Sequence, residues 1–225
     1  MGVGWDLVRI ALSKCLDKAI GKVLADVAEI VTVFAGIPRG CFFKTCLDSA
    51  TNMSVLPSSV SLVVMGVAGC GKSSLGSALA GAEGLPLIEG DDHHSPASRE
   101  KMRQGIALTD ADREGWLATL GQLLQAHPRG VVLTCSALKK AYRDRLRSAR
   151  PGLRFVFLDI DPASARQRVA ARAGTHFFST TLVDNQFTTL ESPVGEPGVL
   201  RLDALADLAT LQQQARAWIA ATEAA

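Results

Sequence analysis

The residues whose types and spacing most clearly suit chemistry are Gly66-Val67-Ala68-Gly69-Cys70-Gly71-Lys72-Ser73. They match the phosphate-binding pattern G-x-x-x-x-G-K-[S/T] at every fixed position. The glycines let the backbone turn sharply and approach a ligand closely. Successive N–H groups then converge on one concavity, and the N-terminus of a following helix adds partial positive charge. Lys72 would reach the β- and γ-phosphates, and the Ser73 hydroxyl would sit on Mg²⁺. The expected nucleotide-binding set is therefore Gly66, Val67, Ala68, Gly69, Cys70, Gly71, Lys72, Ser73 and Ser74, with Lys72 also catalytic and Ser73 facing the metal. A chance glycine-rich turn is the competing reading, and the fit of both flanks disfavours it.

This stretch implies binding of a nucleoside triphosphate, not what is done with it. Phosphoryl transfer needs an acceptor held opposite the γ-phosphate. Asp91, in Gly90-Asp91-Asp92-His93-His94, is the best candidate to orient an acceptor hydroxyl, because it should lie where a parallel strand ends in the ligand crevice. A capping or Mg-water-binding aspartate is the plainer alternative. Asp92 shares the task or is solvated. Two adjacent histidines are a weak metal signal; His94 is expected to touch substrate and His93 to lie on the surface.

The basic residues Lys139, Lys140, Arg143, Arg145 and Arg147 form one group, and Arg166, Arg168 and Arg172 another. A solvated face is the default for both. Arg168 and Arg172, however, share one helix face and precede a Gly- and Thr-containing loop, as a lid offering guanidinium groups would. They join Lys72 and Asp91 as expected catalytic residues, while Arg147 and Arg150 are assigned to the surface. Cys70 reads as a small tolerated side chain; acidification of its thiol by Lys72 is the alternative.

The elements that must position these groups alternate. Apolar runs at Ser61–Met65, Leu85–Gly90, Gly130–Cys135, Leu153–Asp159 and Gly198–Asp203 read as buried strands. Between them, helices are expected over Ser73–Ala80 with a break at Gly81–Gly84, and over Ser95–Gly105. Others are expected from Thr109, from Ser136 through Arg147, from Asp161 to Arg172, and from Leu205 to the end. Gly174–Gly198 reads as loop-rich with an apolar segment at Leu182–Leu190. This is an α/β chain with a parallel sheet covered by helices on both faces.

The 225 residues suit one such domain with something left over, and a net charge of +2 gives no strong field for nucleic acid or an anionic membrane. No run of about 18 apolar residues suggests a membrane span. Five cysteines without a C-x-x-C fit a reducing, cytoplasmic setting. Residues 1–57 read as a separate piece and residues 58–225 as the catalytic domain. Val8, Leu12, Leu16, Ala19, Val23, Val27, Ile30 and Phe34 follow helical spacing. A docking helix, a targeting segment (poorly matched by Asp6, Asp17, Asp26 and Glu29) and a mis-assigned start compete; Met53 as the true beginning is favoured.

Together these segments resemble one family. Val64 to Ser73, Gly90-Asp91-x-x-His94, Glu100-Lys101-Met102 and Leu108-x-Asp110-x-Asp112-Arg113-x-x-Trp116-Leu117 are similar to the P-loop gluconokinases. So are Cys135 to Arg147, His176-Phe177-Phe178 and Leu182-x-x-x-Gln186-Phe187-x-Thr189-Leu190-Glu191. The resemblance implies a nucleoside-monophosphate-kinase-like P-loop fold with a lid, often dimeric. It also implies ATP- and Mg²⁺-dependent phosphorylation of D-gluconate to 6-phospho-D-gluconate. An acceptor site of Asp91, His94, Lys101, Lys139 and Arg143 would suit such a polyhydroxy acid. Residues 1–52 have no counterpart in the family, and Gly174-Thr175-His176 with Ser179 depart from its usual lid. A related kinase for shikimate or a nucleoside monophosphate, and a non-catalytic ATP-binding module, are the alternatives.

Overall fold

Alternation of apolar side chains along the strands explains why both faces of the sheet are covered. The computed structural model describes residues 60–171 and 180–223. Strand β1 (Ser61–Met65) leads into helix α1 (Lys72–Glu83). Strand β2 (Leu87–Glu89) runs into a 3₁₀ turn at Gly90–His93, followed by α2 (Pro96–Arg103) and α3 (Asp110–Ala126). Next come β3 (Val131–Thr134), α4 (Lys140–Ala149) and β4 (Arg154–Asp159). Helices α5 (Pro162–Ala171) and α6 (Thr180–Thr189), strand β5 (Val199–Asp203) and α7 (Leu208–Glu223) complete the order.

The strands lie in the order β2-β3-β1-β4-β5, with every neighbouring pair parallel. Leu62, Val64, Val132, Val156 and Leu158 pack on one side with Leu75 and Leu79 of α1, Ala165 and Val169 of α5, and Leu211 and Ile219 of α7. Val63, Met65, Leu133, Phe155 and Phe157 pack on the other with Trp116, Leu120 and Leu124 of α3 and Leu146 of α4. The chain order reverses direction across β1, so the crevice at that strand's carboxyl end is where ligands bind in such sheets.

Caps fix the helices that border this crevice. Ser95 accepts from the Ser98 N–H at the start of α2, with Pro96 at the first helical position. Thr109 and Asp112 form a reciprocal capping box that starts α3.

Several boundaries differ from the sequence reading. Helix α1 continues through Gly81 and stops only at Gly84, which adopts φ 63°. Residues 180–189 form a helix rather than a loop-rich stretch. Helix α4 starts at Lys140, not at Ser136, because Ala137 takes a left-handed φ of 45° that breaks the helical path. Residues 1–57, Arg172 and Gly174 to Ser179 lie outside the described residues, so the expected N-terminal piece and lid departures are not addressed by the structure.

Arg143 corrects a larger expectation. It was expected to touch the acceptor, but its side chain is fully enclosed. The guanidinium donates to the carbonyls of Ala137 and Leu138 at 2.9 Å each and grips the Glu196 carboxylate through Nε and Nη2. Arg147, assigned to the surface, shares that carboxylate at 2.8 Å. Hydrogen bonds from Arg143 hold the Glu196 carboxyl below its ordinary range. Arg143 is therefore a clip that pins the strained turn before α4. Removing one partner of a buried pair leaves the other uncompensated. Arg143→Met is expected to cost roughly 3–5 kcal/mol of stability, read as a lower urea midpoint; a midpoint within experimental error of wild type would refute the clip.

Candidate active site

The phosphate-binding loop leaves the end of β1 and closes at Gly71, whose φ of 102° no ordinary side chain adopts readily. A Cβ built there would meet nothing within 4 Å, so the loop is open above that residue. The Lys72 ammonium donates to the Val67 carbonyl at 3.1 Å, folding back over its own loop. Ser74 is exposed and Cys70 is buried. Burial pushes the Cys70 thiol up despite the nearby Lys72 charge, which favours the small-residue reading over an acidified thiol. Burial likewise pushes the Cys135 thiol up to about 12.

Ser73 shows what the loop is tied to. Its hydroxyl donates to the Glu89 carboxylate at 3.0 Å, and the Thr134 hydroxyl donates to the same oxygen. A serine hydroxyl beside a carboxylate at the mouth of the loop is a hard oxygen donor pair of the kind that suits Mg²⁺. Among the described residues no group of three or more His, Cys, Asp or Glu could hold a metal. Mg²⁺ completed by substrate phosphates and water needs no such cage. Glu89 was not singled out from the sequence. It stands at the end of β2 just before Gly90-Asp91, and that position was the available signal.

Gly90 turns the chain where nothing larger fits, since a Cβ there would lie 2.3 Å from the Thr134 carbonyl oxygen. Trp116 reaches in from α3 and donates to the Gly90 carbonyl at 2.7 Å. The same indole stacks on His94, with ring centroids 4.3 Å apart and an interplanar angle of 14°. His94 is buried, and its Nδ1 has no hydrogen-bond partner among the described residues. Its Nε2 lies 3.9 Å from an Asp91 carboxylate that is largely exposed. The structure thus brings Asp91 and His94 together on one turn at the sheet edge, with His93 exposed as expected.

The expected cations are placed less uniformly. Lys101 pairs with Asp112 at 2.7 Å, holding that carboxyl down to about 2. Lys139 pairs with Asp110 at 2.7 Å, and Tyr142 also donates to that carboxylate. Arg168 donates to the Ala204 carbonyl at 3.0 Å, at the β5–α7 junction. Arg113, passed over in the sequence, lines a cleft with Met102, Leu108, Asn185 and Gln186. It donates to the Leu108 carbonyl and lies against Tyr142, and it forms no ion pair among the described residues. Gln186 closes the cleft toward the nucleotide loop, its side-chain oxygen accepting from the Ala68 N–H at 2.6 Å.

A parallel sheet with this loop at β1 and a polar cleft beside it defines a P-loop nucleotide-binding protein. A family model described as an AAA domain matches residues 62–197. The thermosensitive gluconokinase of Escherichia coli is 39% identical over 161 residues, covering 69% of this chain and 85% of that protein. The gluconokinase of Gluconobacter oxydans is 42% identical over 144 residues, covering 63% and 80%. The crystal structure of a gluconokinase from Sinorhizobium meliloti superposes with a TM-score of 0.69 at 45% identity, covering 74% of this chain and 95% of that one. The chain belongs to the gluconokinase family.

Burial lowers the His94 pKa below its ordinary 6.5, with Arg113 and Arg99 adding to the effect and Asp91 opposing it. The unfolded chain therefore takes up this proton before the folded one as pH falls. The neutral ring contributes stability present above pH 6.5 and lost as pH drops through the lowered value. His94→Phe keeps a ring on Trp116 but cannot titrate. It is expected to soften the fall of the thermal midpoint below about pH 6.5; parallel curves for both proteins would refute this.

Proposed function

We infer that this chain catalyses ATP-dependent phosphorylation of D-gluconate to 6-phospho-D-gluconate. The observation that carries the reading is the junction at Ala68, where the phosphate-binding loop meets the wall of a cleft holding Arg113 and Gln186. The gluconokinases it resembles point to gluconate as the occupant of that cleft.

On this reading the loop N–H groups and Lys72 bind the nucleotide phosphates. Ser73, with Glu89 behind it, would hold Mg²⁺. When bound, that ion neutralises charge on the β- and γ-oxygens. Asp91 orients the terminal hydroxyl of the acceptor and receives its proton as the oxygen bonds to the γ-phosphorus and the bond to ADP breaks. His94, neutral and stacked on Trp116, gives the Asp91 turn a rigid backing. Arg113 is the cation for the acceptor carboxylate, since its guanidinium lies in the cleft without a carboxylate of its own. Lys101 and Lys139 border the same helix start through Asp112 and Asp110. Arg168 and Arg172 remain the proposed cations of the lid.

No helix among the described residues is long and apolar enough to cross a membrane. The reading adds a cytoplasmic location, which the free thiols of Cys70 and Cys135 suit, and a homodimer as the assembly.

ADP release from Mg-ATP is expected to rise steeply when gluconate is added. Lys72→Ala should abolish transfer and weaken ATP binding, while Asp91→Ala should abolish transfer and leave ATP bound. Arg113→Met should raise the KM for gluconate by about tenfold or more, the worth of a hydrogen-bonded charge. An ADP release rate that gluconate does not change would sink the reading.

A further inference from the structure

The contact between Gln186 and Ala68 joins two places that the reaction must coordinate. Gln186 sits on α6, whose Val183 and Phe187 pack in the same apolar cluster as Val67 and Ala68 of the phosphate-binding loop and Ala165 and Val169 of α5. An ion pair between Arg166 and Asp184 also ties α6 to α5. The helix is thus anchored over the loop by its apolar face. On the same helix the Gln186 side chain lines the cleft and accepts the Ala68 N–H at 2.6 Å.

That N–H belongs to the loop that binds phosphate, so phosphate oxygens compete with Gln186 for it. The Gln186 amide has two N–H donors and an acceptor oxygen; the hydroxyls of a polyhydroxy acid in the cleft compete with the Ala68 N–H for that oxygen and can accept from the two N–H groups. Each ligand therefore favours the same rearrangement, in which Gln186 turns from the loop to the cleft and Ala68 turns to phosphate. Two ligands that favour one state bind with positive coupling, and the coupling is reciprocal.

We propose that Gln186 is a positioning residue that couples acceptor binding in the cleft to phosphate binding at the loop. This rests on the assignment of the cleft to gluconate. Side-chain loss at this position acts on the linkage between the two substrates, and not only on either affinity.

The test is a binding titration of a fluorescent, non-hydrolysable ATP analogue with Mg²⁺, with and without saturating gluconate, on the full chain. In wild type, gluconate is expected to tighten the analogue by about fivefold or more, the lower range of such couplings. Gln186→Met, similar in shape but without the amide, should bring that ratio to within about twofold of one, below the range expected of true coupling, with its thermal midpoint near wild type. A wild-type ratio retained in Gln186→Met overturns the proposal. Gln186→Glu keeps the length and the acceptor oxygen but sets a negative charge beside the loop. Its gluconate ratio should likewise fall to within about twofold of one, and it carries the test if the Met variant melts; a wild-type ratio retained there also overturns the proposal. Gluconate-dependent ADP release by wild type, measured alongside, separates the two readings. If it is present and the Met variant keeps its coupling, only the role of Gln186 fails. If it is absent, the acceptor assignment fails and the coupling with it.

Discussion

One carboxylate gathers the working ends of three strands. Glu89 closes β2, and its Oε2 accepts from Ser73, at the start of the helix after β1, and from Thr134, at the end of β3. A carboxylate oxygen can serve several donors at once, so one side chain fixes the distances among three otherwise separate backbone segments. The loop lysine is next to Ser73, and Asp91, the proposed acceptor residue, is two residues after Glu89. Loop and acceptor turn are therefore set by the same anchor. Gly90 makes the arrangement tight, because the backbone passes so close to the Thr134 carbonyl that a methyl group would collide with it. Trp116 then holds that turn from the far side through the Gly90 carbonyl.

Behind this anchor lies a second constraint, which acts on shape rather than chemistry. Ala137 holds a left-handed φ of 45°, a conformation that costs on the order of 1–3 kcal/mol and persists only where the surroundings impose it. Arg143 imposes it by donating to the carbonyls of Ala137 and Leu138 from inside the fold. A buried ion pair of this kind is weak evidence for net stability, because desolvating both ions offsets their attraction. Its value here is geometric. The turn brings the Ser136 carbonyl to the Gly66 N–H and delivers Lys139 to Asp110. Strain in one loop thus supports the first residue of the phosphate-binding loop.

What could be read from the sequence follows from how local each signal is. The five strands were legible because buried parallel strands are short, uniformly apolar runs bounded by turn residues. The starts of α2 and α3 were legible because their caps lie within three residues of the groups they satisfy. The phosphate-binding loop is local in the same sense. The start of α4 was not, since the clip that breaks it depends on Glu196, 53 residues away from Arg143. Helix α6 was hidden by its own composition, Thr-Thr-Leu-Val-Asp-Asn-Gln-Phe-Thr-Thr, which is poor in strong helix formers. Its helix is stabilised by burying Leu182 and Val183, with Phe187 packed partly against the same core, a tertiary effect that no local pattern reports. Glu89, Arg113 and Gln186 were missed for a related reason. Each is an ordinary polar residue until the fold brings its partner or its cleft to it.

The distribution of charge around the cleft then separates two tasks that would otherwise interfere. Both the nucleotide and a sugar acid are anions, and a shared cation would let either occupy the other's place. Lys101, Lys139 and Arg143 are each paired already, with Asp112, Asp110 and Glu196. An incoming carboxylate at any of them must displace or share an existing one, so its gain there is small. Among the described residues Arg113 holds only a backbone carbonyl and a phenol, and Lys72 only a backbone carbonyl. Neutral partners are given up at much lower cost than charged ones. Of the cations at the loop and in the cleft, Lys72 and Arg113 thus keep their attraction unneutralised, one on each side. On the proposed reading, in which Arg113 takes the carboxylate at one end of a sugar acid, the hydroxyl at the other end would be the group left to meet the loop, in keeping with transfer to a terminal hydroxyl.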